Sequence, residues 1–270
     1  MHITTAKTVD LSKVKELWVQ IFGDSEKFAD FASNLCSPEG IYLVKEDDEI
    51  AAMVIAGIDL FAYEKKGFYI YGLATVPQYR GKGYAKQLVE YVCKEKFDNG
   101  YEFCLTQPAG ESLFEYYRNL GFDNTTYLRK GTVTIKRNLW ATASFDTVTA
   151  TRFKEMRSKF SEDEVVQFSP KVYEKFAEYV YTEGGSTAET KDGYCLYFEN
   201  SDKIIIRDLF AHSTQQATVL LQAIAERTGK NTMDIQLSQN SQLFLGEGKL
   251  YPHCVVKNLN KELYANLMFD

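Results

Sequence analysis

The chain has 270 residues, 45% of them hydrophobic, and a net charge of −6 with acidic and basic residues interspersed. This length favours two modest domains over one large one, and the composition predicts a globular protein with a buried core. The charge pattern gives no sequence-wide reason to bind nucleic acid. We recognise neither a secretory signal nor an apolar run long enough to span a bilayer, so we expect a cytoplasmic protein without a membrane partner.

The cysteines and histidines show no pattern typical of a disulfide framework or a metal site. The five cysteines are odd in number and scattered, and the three histidines lack metal-ligand spacing. We therefore expect no bound metal and no catalytic cysteine. The residues concerned are Cys36, Cys93, Cys104, Cys195, Cys254, His2, His212 and His253.

The first half of the chain begins with helices and continues with strands. Apolar residues at helical spacing predict a helix over Leu11–Phe22 and a second, shorter one over Phe28–Leu35. Ile41–Lys45 and Ile50–Ile58 are predicted to form a hairpin, and Phe68–Thr75 a further strand. After that strand we expect a helix from Lys82, a strand at Tyr101–Thr106, a helix at Glu111–Leu120 and further strands to about Asn138. This order is typical of a mixed α/β sheet.

The second half repeats this order weakly. We place the domain boundary between residues 138 and 139, so that the predicted domains are 1–138 and 139–270, with 139–147 as the passage between them. The second is a smaller α/β domain. At the position that matches the connection between strand and helix at residues 78–86 of the first half, it lacks the glycines and most of the basic residues. Its predicted helices are Ala150–Phe160, Pro170–Tyr181, Thr214–Thr228 and a terminal helical stretch; its strands are Tyr194–Glu199, Lys203–Phe210, Thr232–Leu237 and Pro252–Lys257.

The loop Gln78–Lys86 lies between an apolar strand and an amphipathic helix. A helix start leaves backbone N–H groups unpaired and carries a partial positive charge, which makes it an anion site. Gly81 and Gly83 let the backbone approach a phosphate, and nearby cations add charge. The third glycine of the dinucleotide fingerprint is replaced by a lysine, and the Walker loop is absent. The remaining alternative is a glycine-rich turn with solvated charges.

Two motifs resemble the GNAT superfamily of acyl-CoA-dependent N-acyltransferases. Gln78–Gly83 (QYRGKG) is similar to its Q/R-x-x-G-x-G/A motif, and Leu113–Phe122 (LFEYYRNLGF) to the pattern of a later helix ending in Y-x-x-x-G-F. The resemblance covers about residues 1 to 137. It implies the GNAT fold, a mixed and mostly antiparallel sheet flanked by helices, with acetyl-CoA as cosubstrate.

The same resemblance implies roles for individual residues. The backbone of Leu73, Ala74 and Thr75 would pair with the pantetheine arm in the manner of an added strand. Tyr117 would protonate the leaving thiolate; the alternative is a tyrosine that only packs or contacts CoA. The pyrophosphate would be bound by Gln78, Arg80, Gly81, Lys82, Gly83, Tyr84, Ala85 and Lys86.

The base that deprotonates the acceptor amine is left open between two sets of carboxylates. Asp24 and Glu26 lie in the connection between the first two helices, which in this superfamily shapes the acceptor pocket; helix capping and solvation are their alternative. The two-part layout also resembles the enhanced-intracellular-survival type of aminoglycoside acetyltransferase, whose terminal carboxylate is the base. That implies Asp270, although this chain is shorter and that family's central and final domains are not plainly recognisable. An ordinary packed C-terminal helix is the alternative for Asp270.

Two functions from different classes follow. The first is an N-acetyltransferase that moves acetyl from acetyl-CoA to a primary amine of a small molecule or peptide. The second is a CoA-binding regulatory or interaction protein without turnover. An aminoacyl transferase using charged tRNA is disfavoured because no strong basic patch stands out. The second half, a degenerate GNAT-like or sterol-carrier-like module, would bind no second CoA and would wall off the acceptor site or form a homo-oligomer interface.

Overall fold

The computed structural model describes residues 1–160 and 163–269, apart from the side chain of Phe160. The chain forms two compact units of nearly equal length. The first contains Met1–Thr125 and Cys254–Lys261, and the second contains Thr126–His253 and Glu262–Asp270. Each unit therefore combines a long continuous segment with a short one from near the C-terminus.

The first unit contains helices and strands in alternation. Its helices are α1 (Leu11–Phe22), α2 (Glu26–Ser33), α3 (Tyr84–Asp98) and α4 (Glu111–Arg118). Its strands are β1 (His2–Thr5), β2 (Ile41–Glu46), β3 (Glu49–Ala62), β4 (Lys65–Thr75) and β5 (Phe103–Thr106). The predicted helix over Leu11–Phe22 and the predicted hairpin are confirmed.

The sheet of the first unit follows the order β1-β2-β3-β4-β5. Neighbouring strands are antiparallel except β4 and β5, which are parallel and joined by α3 as a crossover. Leu88, Val89 and Val92 of α3 are fully buried in the core cluster that also contains Phe68 and Val54 of the sheet. The apolar stripe that predicted this helix is therefore the face that covers the sheet.

The remaining elements follow in chain order. The strands are β6 (Asn124–Thr134), β7 (Ser144–Phe145), β8 (Gln167–Phe168), β9 (Gly185–Thr190), β10 (Gly193–Glu199), β11 (Ile204–Ala211), β12 (Thr232–Ser238) and β13 (Lys249–Lys257). The helices are α5 (Ala150–Phe160), α6 (Pro170–Thr182) and α7 (Thr214–Thr228). The sheet of the second unit has the order β6-β12-β11-β10-β9-β7, in which β11 and β12 are parallel and joined by α7.

Along the chain, the division between the compact units falls between Thr125 and Thr126, earlier than the predicted domain boundary between residues 138 and 139. The reason is that β6 is one continuous strand, where the sequence predicted several strands, and it pairs with β12 over Leu128–Thr134. The last residues of β13, Val255–Lys257, pair with β5. The predicted two-domain division remains a proposal about domain organisation.

The predicted terminal helical stretch is wrong. Residues 258–269 contain no helix, and every residue from Leu263 to Phe269 is buried. A helix on a surface would bury one stripe, whereas a run buried on all sides fits an extended chain inserted into a core. The mixed, mostly antiparallel sheet flanked by helices is confirmed.

Candidate active site

β4 and β5 pair over a short distance only. Their register joins Gly67–Tyr69 to Phe103–Leu105 and goes no further. At the next position, Thr106 Oγ1 donates a hydrogen bond to the Ile70 carbonyl at 2.9 Å. A side chain thus satisfies the first carbonyl past the paired region, and the rest of β4 continues without β5.

β4 contains a bulge at Gly72. Between the pairs Ile55↔Tyr71 and Met53↔Ala74, β4 has one residue more than β3. Gly72 has φ +60°, and a Cβ atom there would lie 2.2 Å from Cζ3 of Trp18. Both the backbone angle and the space therefore require glycine.

The three residues expected to pair with pantetheine lie directly after this bulge. Ala74 is buried, and Leu73 and Thr75 are half-buried. Thr75 pairs with Ala52 of β3, and its carbonyl accepts a hydrogen bond from Arg80 Nε at 3.3 Å. These residues lie in the part of β4 that does not pair with β5.

The start of α3 is built from two glycines in the left-handed region. Gly81 has φ +79°, and Gly83, the N-cap residue, has φ +78°. No side chain within residues 1–160 and 163–269 caps this helix start. A Cβ at Gly81 would meet nothing within 4 Å. The first-turn N–H groups of α3 thus remain available to an anion, with open space in front of Gly81.

The cations beside this helix start are solvent-exposed. Lys82 Nζ lies 3.3 Å from one carboxylate oxygen of Glu46, and the other oxygen accepts a 2.7 Å hydrogen bond from the Tyr84 hydroxyl. The Tyr84 hydrogen bond, and after it Lys82, hold the pKa of Glu46 below its ordinary value. Lys86 lies 3.8 Å from Glu90, one turn further along α3. Because these ion pairs are exposed, an incoming phosphate can compete for both lysines at small cost.

The remaining predicted anion ligands divide into exposed and buried groups. Gln78, Arg80 and Lys86 have exposed side chains. Tyr84 is buried and packs in the core cluster of the first unit, and Ala85 is half-buried. Tyr84 and Ala85 can therefore contribute backbone N–H groups to an anion, while the exposed residues can contribute side chains.

Tyr117 of α4 is next to the point where β4 and β5 separate. Its side chain interacts with Thr106, the residue that bridges to Ile70. Tyr117 is only 6% exposed, and its ring packs against Tyr116 and Phe122 at centroid distances of 5.1 and 5.3 Å. Burial raises the pKa of Tyr117 well above its ordinary value, and the Thr106 side chain opposes this only in part. The phenol is thus protonated at neutral pH.

An aromatic wall adjoins the bulge of β4. Trp18 of α1 contacts Gly72 and packs against Tyr71 and Phe22 at 5.1 and 4.7 Å. Its indole N–H donates a 2.8 Å hydrogen bond to Asp24. The predicted acceptor residue Asp24 is therefore tied to the bulge through Trp18.

Glu26, the other predicted acceptor residue, is exposed in the first turn of α2. The N-cap of that helix is Ser25, whose hydroxyl accepts from Phe28 N at 3.1 Å. Glu26 is placed to interact favourably with the helix dipole, and no contact among the described residues links it to the bulge. Asp270, the predicted base, lies outside the described residues.

Sequence reasoning did not identify Gly72, Trp18 or Thr106 as parts of the site. Gly72 had a signal, since an isolated glycine inside a strand pattern indicates a bulge or a close backbone approach. Thr106 and Trp18 had no such signal, because a single threonine in a strand and an apolar position in a helical stripe are common.

None of the helices within the described ranges is both long and apolar enough to cross a bilayer. The residues described also include no group of three or more His, Cys, Asp and Glu side chains placed to hold a metal ion.

These features place the part of β4 that does not pair with β5 shortly before the uncapped start of α3. Residues 11–122 match the model of the acetyltransferase (GNAT) family. This part of the chain is thus a GNAT-family domain, as the two motifs indicated, and the family is one of acyltransferases. No curated protein matches the sequence.

Solved structures share the fold over nearly the whole chain. A GCN5-related N-acetyltransferase from Kribbella flavida has a TM-score of 0.74 at 18% identity, covering 94% of this chain and 70% of that one. A probable N-acyltransferase from Enterococcus faecalis V583 gives 0.75 at 13%, covering 94% and 72%. Eis1 from Mycobacterium abscessus gives 0.73 at 10%, covering 95% and 73%. At these identities the similarity shows the fold alone.

Proposed function

We propose that the protein is an N-acetyltransferase that moves an acetyl group from acetyl-CoA to a primary amine of a small molecule or peptide. One observation carries the proposal: the uncapped, glycine-built start of α3 follows the end of β4, which pairs with β3 but not with β5. A strand edge followed by an anion site suits an extended amide-containing arm that ends in a pyrophosphate.

Acetyl-CoA would bind with its arm along β4 and its pyrophosphate at the helix start. The backbone of Leu73, Ala74 and Thr75 would pair with the pantetheine amides. The N–H groups from Gly81 onward would bind the phosphate oxygens, and Arg80, Lys82 and Lys86 would add charge. Lys82 would exchange its exposed ion pair with Glu46 for the phosphate.

The reaction would proceed by direct attack of the amine on the thioester. The amine nitrogen forms a bond to the carbonyl carbon, and the oxyanion accepts a hydrogen bond from a backbone N–H near the end of β4. The C–S bond then breaks, and the sulfur takes a proton from Tyr117. Burial keeps this phenol protonated at neutral pH, so its O–H can donate to the departing sulfur, although the same burial makes it a weaker acid.

The acceptor amine must lose a proton before or during the attack. Asp24 lies beside the aromatic wall around Trp18 and would attract a cationic acceptor to this side of β4. Asp270, at the chain end, is the proposed base by resemblance to the tandem acetyltransferases. Glu26 remains a proposed contact to the acceptor, through its exposed position at the start of α2.

A CoA-release assay on polyamines, aminoglycosides and peptide amines tests the proposal. We expect turnover with at least one amine, and a fall in kcat of about 10²-fold in Tyr117→Phe with KM for acetyl-CoA little changed. Tyr116→Phe is the matched control, because Tyr116 is adjacent to Tyr117 and its hydroxyl has no hydrogen-bond partner among the described residues. Binding of acetyl-CoA without turnover on any amine would instead support the CoA-binding regulatory protein.

A further inference from the structure

The second unit contains a cavity of about 520 Å³ at the carboxyl ends of β11 and β12. Phe210 and Tyr264 contribute aromatic surface to it, Leu243 aliphatic surface, and Ser238 and Asn240 polar groups. This volume is within the range of small-molecule sites. The crevice beyond the carboxyl ends of parallel strands is also a common place for a ligand in open α/β sheets.

Glu164 is the charged group in the wall of this cavity. It is only 9% exposed. One carboxylate oxygen accepts a hydrogen bond from Ser238 Oγ, and the other accepts one from Asn240 Nδ2 at 2.9 Å. Among the described residues, no Lys or Arg forms an ion pair with it. A carboxylate has about four lone-pair positions, so two neutral donors leave room for a further, charged donor.

Two arginines of this unit form polar contacts with groups other than Glu164. Arg129 donates to the carbonyls of Ser241 and Leu243 at 3.0 and 2.8 Å, which holds one wall of the cavity in place. Arg157 is fully buried and paired with Asp208. Neither arginine pairs with Glu164, so an ammonium group in the cavity can supply the charged donor that this buried carboxylate lacks.

We propose that this cavity binds a small organic ammonium ion with hydroxyl groups on its body. The ammonium group would donate to Glu164, and the aromatic and aliphatic surfaces would pack against the carbon skeleton. The hydroxyls would bond to the serine and amide side chains of the wall. This site belongs to the second unit alone and does not depend on the acetyl-CoA site proposed for the first.

Calorimetric titration of the full chain, without acetyl-CoA, tests this assignment with three pairs of amine and alcohol. The pairs are aminohexanol with hexanediol, tyramine with tyrosol, and glucosamine with glucose. We expect at least one amine to bind about tenfold or more tightly than its alcohol, because a hydrogen bond to a charged group is stronger than a neutral one. Glu164→Gln should abolish the preference, since the amide keeps the shape but loses the charge.

Glu174→Gln is the matched control, because it removes an exposed carboxylate from α6 of the same unit. It should bind the amine as the parent does. The assignment is overturned if no amine binds more tightly than its alcohol in the parent, or if Glu164→Gln retains the preference. A parent without the preference overturns the assignment without any variant. A preference in the parent belongs to this cavity only if Asp24→Asn, which removes the carboxylate proposed to attract the acceptor in the first unit, leaves it unchanged. A separate titration with acetyl-CoA distinguishes failure here from failure of the proposed transferase.

Discussion

The two units of the molecule contain the same local construction. In each, two parallel strands are joined by a helix of 15 residues, β4-α3-β5 in the first and β11-α7-β12 in the second. Directly after the last paired residues, a side chain of the second strand bonds to a carbonyl of the first. Thr106 bonds to Ile70 at 2.9 Å, and Gln236 bonds to Arg207 at 3.0 Å. The weak echo in the sequence therefore corresponds to equivalent structure.

The starts of the two helices differ in chemistry. α3 begins at Gly83 in the left-handed region, and no described side chain caps it. α7 begins at Ser213 in extended conformation, and its hydroxyl accepts from Gln216 N at 3.3 Å. The second helix start is satisfied by its own side chain, whereas the first leaves its N–H groups for an anion.

The second unit also fills the gap between its parallel strands with its own chain. Tyr264 donates to the Gln236 carbonyl at 3.4 Å, and the Asn266 amide donates to the Arg207 carbonyl at 2.8 Å. Asn266 bonds to Asp208 as well, which in turn pairs with Arg157. The same construction thus faces a proposed CoA arm in the first unit, whereas in the second the chain itself lies against it and Tyr264 borders the proposed cavity.

The largest expected effect is on the packing of the second unit. Arg157→Ala leaves Asp208 buried and unpaired, so we expect the free energy of unfolding to fall by about 3–5 kcal/mol in a denaturant titration. Arg152→Ala, on the same helix as Arg157, is the control, because the ion pair of Arg152 with Glu189 of β9 is partly exposed. It should cost about 1 kcal/mol or less. Equal losses of unfolding free energy in the two variants would show that the network of Arg157, Asp208 and Asn266 does not hold the segment Leu263–Phe269 in place.

A smaller effect is expected at the bulge of β4. Gly72→Ala forces a Cβ into a left-handed residue and against Trp18, so unfolding should become easier by about 2–4 kcal/mol. Gly23 has φ +76° and nothing within 4 Å of its Cβ position. Gly23→Ala should therefore show the backbone strain alone, about 1–2 kcal/mol. A loss at Gly72 no greater than at Gly23 would mean that the contact with Trp18 is not tight.

The smallest effect is expected at the start of α7. Ser213→Ala removes the side-chain cap, which should lower the free energy of unfolding by about 1 kcal/mol. Acetyl-CoA affinity should not change, because the second unit is not expected to bind CoA. Ser25→Ala, at the start of α2, provides the comparison for cap loss alone. Altered acetyl-CoA affinity in Ser213→Ala would contradict the contrast between the two helix starts.

The sequence predicted best the elements whose ends carry local signals. The helices Leu11–Phe22 and Thr214–Thr228 are found with the predicted bounds, and each is followed by a left-handed glycine, Gly23 or Gly229. The bulge at Gly72 was missed because its cause is a tertiary contact with Trp18. The terminal segment was predicted as helix because an apolar run without period does not distinguish helix from buried extended chain.

The candidate site was predicted from its motif, whereas the residue types and their spacing do not predict the separation of β4 from β5. The glycines and cations of the loop between β4 and α3 indicate an anion site through their residue types and positions alone. The separation of β4 from β5 depends on register, and on the bond from Thr106 to Ile70, which no sequence spacing encodes. Tyr117 was singled out by family resemblance, and its link to Thr106 became apparent only in the structure.

The most direct test is calorimetric titration of acetyl-CoA into the parent, Gly83→Asp and Gly100→Asp. Gly83 and Gly100 are left-handed residues at opposite ends of α3, so both variants carry the same backbone strain, but only Gly83 belongs to the proposed anion site. We predict one acetyl-CoA per parent chain, similar binding in Gly100→Asp, and a loss of affinity of about tenfold or more in Gly83→Asp. No heat with the parent, or parent-like binding in Gly83→Asp, would contradict the account.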